Sequence, residues 1–244
     1  MNEAIHTPTD KPAGKPGRPP PENKSSARSR VFIVDDHTMF REGLRQLIDR
    51  EPGLTVCGDA EDAAEAMRGI RKTNPQVVLV DISLSGASGI DLIKSIKSEF
   101  EDMLVLVVSM HDESLYAERA LRAGAMGYVM KHEPAKTMKA AIYKVLGGDM
   151  YLSENLAGTV TARFMRGQPD EKPASLIQSL SDRELEVFRL LGQGKGVRHI
   201  AEKLEVTIPT VNSFRNRIKE KLSLKSSTEV MLRAIHWVQG DGVR

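Results

Sequence analysis

Carboxylates, a serine and a lysine stand at matching places along the chain, each just past a short apolar run. Asp35 and Asp36 follow "VFIV", Asp81 follows "QVVLV", Ser109 ends "VLVVS", and Lys131 follows "GYVM". A charge at the end of such a run is costly unless something nearby compensates it. Carboxylates gathered at one place repel each other unless a hard cation joins them, and oxygen-rich sites that keep open water positions suit Mg²⁺. Lys131 adds a fixed positive charge and Ser109 a hydroxyl, both suited to an incoming phosphoryl group. Asp81 is then the expected nucleophile, because a carboxylate can form an acyl phosphate. Mg²⁺ and Lys131 stabilise charge on the transferring group. Taken singly, each aspartate also suits a loop start or a helix cap. Taken together, each at the end of its own strand, the residues point to a site.

The elements that must position them are readable. Strand-like runs occur at "VFIV", "LTVCG", "QVVLV", "MLVLVV" and "GYVM". Helix-like stretches alternate with them, the first being "TMFREGLRQLIDR", with Phe40, Leu44, Leu47 and Ile48 on one face. Five strands alternating with helices imply an α/β fold, a doubly wound five-stranded parallel sheet. Such sheets bind ligands at the carboxyl ends of their strands. The expected divisions are a disordered, basic, proline-rich tail over 1–29, an α/β domain over 30–150 and a helix and linker over 151–177. A small all-α domain over 178–244 completes the chain.

Charge supports two jobs on one chain. The 244 residues carry a net +2, but residues 31–178 carry −5 and residues 179–244 carry +4. The basic end invites a polyanion, although it also reads as an ordinary solvated surface. The single cysteine, Cys57, excludes an internal disulfide and a cysteine-cluster metal site. No apolar run approaches a membrane span, and the start lacks the apolar core of a signal peptide. A cytoplasmic protein with no membrane partner is the expectation.

"VFIVDDH", "VVLVDISLSGASGIDLI", "VLVVSM" and "GAMGYVMK" resemble the receiver domain of two-component response regulators. The resemblance implies that Asp81 is the phosphoacceptor. It implies that Asp36 ligates Mg²⁺ directly, that Asp35 acts through water, and that the Ser83 carbonyl completes the protein ligands. Ser109 and Tyr128 match the family's switch hydroxyl and aromatic, and Lys131 its lysine. By residue type alone, Tyr128 reads equally as a packing aromatic. Ser85 and His132 stand where the family usually or often has proline, so a cis-proline bond after Lys131 is not available.

The helical end begins with a capping-box pattern, Ser181 followed by Glu184. "VRHIAEKL" is a short amphipathic helix, and Thr207 with Pro209 starts a longer one. On that longer helix Val211, Phe214, Ile218 and Leu222 mark one face, and polar and basic residues occupy the rest. This is a helix-turn-helix pattern, and residues 178–240 resemble the LuxR-type helix-turn-helix. With the receiver, the chain is similar to response regulators of the NarL/FixJ type. The resemblance puts Asn212, Ser213 and Asn216 at base-facing positions. Thr207, Thr210, Arg215, Arg217, Lys219 and Lys195 become candidates for phosphate contacts. The family commonly has lysine at Asn212 and histidine at Phe214. In the tail, "KPGRPPP" resembles the core of an AT-hook, and Trp237 suits either a dimer face or core packing.

The resulting expectation is a phosphorylation-controlled transcription regulator rather than an enzyme. A sensor histidine kinase loads Asp81, and dimerisation or domain arrangement then changes binding to double-stranded DNA. One rival is an aspartyl-phosphate hydrolase of the haloacid-dehalogenase kind. Those usually carry a second aspartate two residues after the nucleophile, where this chain has Ser83. The other rival is a receiver serving only as a protein-interaction or phosphorelay module.

Overall fold

The computed structural model describes residues 28–84, 86–111, 113–154, 156–158 and 176–241. The expected tail with its AT-hook-like stretch, Ser85, and most of the 151–177 connector lie outside the described residues. Strands β1 (Ser29–Val34), β2 (Leu54–Ala60), β3 (Val77–Val80), β4 (Leu104–Ser109) and β5 (Gly127–Met130) alternate with five helices. These are α1 (Thr38–Asp49), α2 (Ala63–Thr73), α3 (Gly89–Glu99), α4 (Glu113–Arg122) and α5 (Ala135–Leu146).

The strands lie in the order β2-β1-β3-β4-β5, every neighbouring pair parallel. Continuous runs such as Val77–Val80 are buried throughout, as strands covered on both faces must be. Leu44 and Ile48 of α1 join Ala141 and Ile142 of α5 against one face. Ala66 and Ile70 of α2, Ile93 of α3 and Ala117 of α4 belong to the cluster on the other. Each fully buried isoleucine or leucine there is worth about 1.5–3 kcal/mol. The strand order reverses between β1 and β3, the place where sheets of this kind bind ligands at the carboxyl ends of their strands.

Local signals fix the helix starts around that crevice. Asp62 caps α2 by accepting from the Glu65 N–H, and Ser88 caps α3 by accepting from the Ile90 N–H. At Gly89 the α3 backbone presses on the end of β3: an added Cβ would lie 1.9 Å from the Asp81 carbonyl oxygen. No side chain fits there, so glycine is required for α3 to abut Asp81.

The second domain has a 3₁₀ turn (Leu176–Ser179) and helices α6 (Asp182–Gly192), α7 (Val197–Lys203), α8 (Ile208–Lys221) and α9 (Ser227–Asp241). Ser181 and Glu184 form the capping box in full, and Thr207 caps α8 by accepting from the Thr210 N–H. Val211, Ile218 and Leu222 are buried as their spacing predicts. The half-buried Trp237 packs its ring 5.5 Å from Phe188, which makes it part of the core packing.

The two domains are docked. The apolar cluster beneath α2, α3 and α4 continues into Leu180, Leu185 and Phe188 of the helical domain. A polar clamp closes the seam: Asp182 accepts from Arg119 of α4 at 3.0 Å and from Lys94 of α3 at 3.3 Å. The same Arg119 also donates to the Leu180 carbonyl at 2.8 Å.

Candidate functional site

Asp35 and Asp81 end neighbouring strands and are both buried. Lys131, at the end of β5, reaches across β4 to meet them. Its Nζ lies 2.5 Å from Asp35 Oδ2 and 2.8 Å from Asp81 Oδ2. The ammonium also stands 4.6 Å above the Phe40 ring, a cation–π contact that helps hold a desolvated charge. Asp36 is half-buried and pairs with His37 Nδ1 at 2.7 Å, while the His37 backbone N–H donates to Asp35 at 2.9 Å.

One lysine does not neutralise this set. Asp35, Asp36, His37 and Asp81 each bring a ligand atom to within 4.8 Å of the others. Burial pushes the Asp81 carboxyl above its ordinary value, and the neighbouring Asp35 adds to the rise. Lys131 and a hydrogen bond from Ser109 oppose it. A carboxylate held high in this way, beside two others, is a standing request for positive charge. The mainly oxygen donor set suits a hard divalent cation that keeps several waters.

The residues around Asp81 converge as well. The Ser83 N–H donates to Asp81 Oδ1 at 3.3 Å. Tyr128 is fully buried and its hydroxyl donates to the His111 carbonyl at 2.8 Å. Ser109 Oγ accepts from the His111 N–H at 3.3 Å. His111 is the residue that sequence reasoning missed. Its ring shares a hydrogen bond with Ser83 Oγ, and burial, aided by the nearby cations Arg189, Lys203 and Lys131, holds its pKa down at about 3. The available signal was its place two residues after Ser109, at the same rim of the sheet.

In the helical domain Asn212, Ser213, Asn216 and Arg217 are exposed along α8, while Thr210, Arg215 and Lys219 are half-buried. Lys195 is exposed in the loop after α6. Several of these groups are already engaged within the domain. The Thr207 and Thr210 hydroxyls bond each other at 2.8 Å, Ser213 Oγ donates to the Pro209 carbonyl, and Arg215 donates to Asn212 Oδ1 at 3.3 Å.

Residues 31–143 match the family model of the response regulator receiver domain. Residues 178–234 match that of the bacterial regulatory proteins of the luxR family. The oxygen regulatory protein NreC of Staphylococcus carnosus is 32% identical over 209 residues, 84% of this chain and 96% of its own length. The chain is a response regulator of the NarL/FixJ type. A LuxR-family response regulator structure from Aurantimonas is 36% identical with a TM-score of 0.53, covering 57% of this chain and 99% of that one. A structure of two RcsB dimers bound to two parallel DNAs is 25% identical with a TM-score of 0.51, covering 86% and 98%. This response regulator therefore joins a receiver to a LuxR-type helical domain, and no described helix is long and apolar enough to cross a membrane.

Proposed function

We propose that Asp81 accepts a phosphoryl group from a sensor histidine kinase and that this modification controls DNA binding by α8. The carrying observation is the Asp81 carboxylate at the carboxyl end of β3, 2.8 Å from Lys131 and beside Asp35 and Asp36. An Asp81 oxygen attacks phosphorus, the bond from phosphorus to the donor breaks, and an acyl phosphate remains. Asp35, Asp36, Asp81 and the Ser83 carbonyl are the groups to hold Mg²⁺, which when bound neutralises the oxygens of the transferring group. Lys131 supplies the fixed positive charge, and the Ser109 hydroxyl with Tyr128 responds to the new group.

The protein acts in the cytoplasm as a transcription regulator, not as an enzyme with a separate substrate. Asn212, Ser213 and Asn216 face bases in the major groove. Thr207, Thr210, Arg215, Arg217, Lys219 and Lys195 contact the backbone. The α8 polar face is exposed although the domains are docked, which favours control through homodimerisation over simple uncovering of the helix. RcsB supports that reading, since its dimers bind DNA. A receiver acting without DNA fits the basic, exposed face of α8 less well.

The test is acid-labile labelling with and without Mg²⁺, using a small acyl-phosphate donor. Asp81→Asn, nearly isosteric, should fold and take up no phosphate. Labelling of that variant at the wild-type rate removes Asp81 as the acceptor.

A further inference from the structure

We propose that His111 is a positioning residue that carries the state of the acidic site to the helical domain. It does so through its ring hydrogen bond to Ser83 and its ring contact with Tyr116 on α4. The proposal rests on Asp81 being the phosphoacceptor.

Three hydrogen bonds tie His111 to that site. The ring bonds Ser83 Oγ, two residues past Asp81. The backbone N–H goes to Ser109 Oγ, and the carbonyl accepts from the Tyr128 hydroxyl. On its other side the ring lies 4.7 Å from the Tyr116 ring, tilted by 32°. Tyr116 is itself 1% exposed, on the helix that carries Arg119 to its clamp with Asp182.

A close-packed interior transmits a displacement rather than absorbing it. When a phosphoryl group on Asp81 draws the Ser109 hydroxyl or moves the Ser83 loop, the bonded imidazole must follow. Tyr116, 1% exposed and packed ring to ring against it, shifts with it and displaces α4 under the domain seam. The coupling is one of position, carried by the ring's hydrogen bond and by its contact with Tyr116. A neutral imidazole offers one N–H and one lone pair, enough for the bond to Ser83.

The experiment uses the full chain with Mg²⁺ and beryllium fluoride as the phosphoryl mimic, read by hydrogen exchange of residues 113–122 and 182–192. Uptake of phosphoryl at Asp81 is measured separately by intact mass with a small acyl-phosphate donor. In the wild-type chain the mimic should change exchange in both segments by about fivefold or more, the lower end of common coupling strengths. His111→Phe preserves bulk but not the hydrogen bond. Compared at saturating mimic, the change in both segments should collapse towards none in His111→Phe, and His111→Gln, which can still bond Ser83, should restore it. Tyr116→Leu, which breaks the ring contact from the other side, should reproduce the loss. If phosphorylated His111→Phe and Tyr116→Leu both keep the full exchange response, His111 is core filling and the proposal is wrong. Absence of phosphoryl on wild-type Asp81 instead overturns the functional reading on which it rests.

Discussion

Arg119 of the receiver holds Asp182 of the helical domain at 3.0 Å while also bonding the Leu180 carbonyl. Both side chains are less than a fifth exposed, so this pair is screened less than a surface one. Arg119→Ala should loosen the seam without touching the acidic site. The check is energy transfer between dyes on α5 and α9 in the unphosphorylated chain. The mean transfer efficiency should fall, and an unchanged value would mean that the apolar contact alone keeps the domains docked.

Lys131 is the only cation bonded to both Asp35 and Asp81 among the described residues. Removing one member of a buried ionic cluster costs roughly 3–5 kcal/mol, because the remaining charges are left uncompensated. Lys131→Ala should therefore unfold at lower urea than the wild type in metal-free buffer. Millimolar Mg²⁺ should recover part of the loss, since it replaces the missing positive charge. A variant as stable as wild type without metal would show that the carboxylates take up protons instead.

Glu186 on α6 is buried, and burial raises its pKa more than the pairing with Arg183 at 2.9 Å lowers it. The folded state thus holds this proton more tightly than the unfolded chain. Its contribution to stability falls as pH rises from the unfolded value through the raised folded value. Above that window the carboxylate is a net penalty; below the unfolded value the penalty is absent. Glu186→Gln should raise Tm at pH 7, where the wild-type carboxylate carries the penalty. At pH 4 the two proteins should melt together, and an equal gain at both pH values would contradict the assignment.

Asn216 and Lys219 should separate base reading from backbone attraction. Asn216→Ala should alter sequence preference, costing about 1–3 kcal/mol at one base pair. Lys219→Ala should weaken all duplexes alike and flatten the salt dependence by roughly one counterion. Titrations of selected and scrambled duplexes at several salt concentrations distinguish them. Equal losses on both duplexes for Asn216→Ala place the reading face elsewhere.

The acidic site was legible because it sits where strand periodicity stops. A β-branched run ending in a carboxylate marks both the strand and the rim, and parallel order then brings Asp35, Asp81 and Lys131 together. The α8 start was legible for a similar local reason, since Thr207 and Pro209 are cap and first-turn residues. His111 was not, because "SMHDE" carries no periodic signal of whether its ring turns inward. That depends on Ser83, 28 positions earlier, and on the shape left by Tyr116. The Arg119–Asp182 clamp was illegible for the same cause: each residue reads as ordinary helix surface until the domains meet.

The open polar face of α8 bears on timing. A docked chain whose basic helix remains exposed still attracts any duplex through its charge, weakly and without regard to sequence. On the proposed function, molecules awaiting a signal would be held along the chromosome rather than dispersed around it. The search for the operator would then begin before phosphorylation, and the delay between signal and promoter occupancy would be set by phosphoryl transfer and by pairing of neighbours on the same DNA.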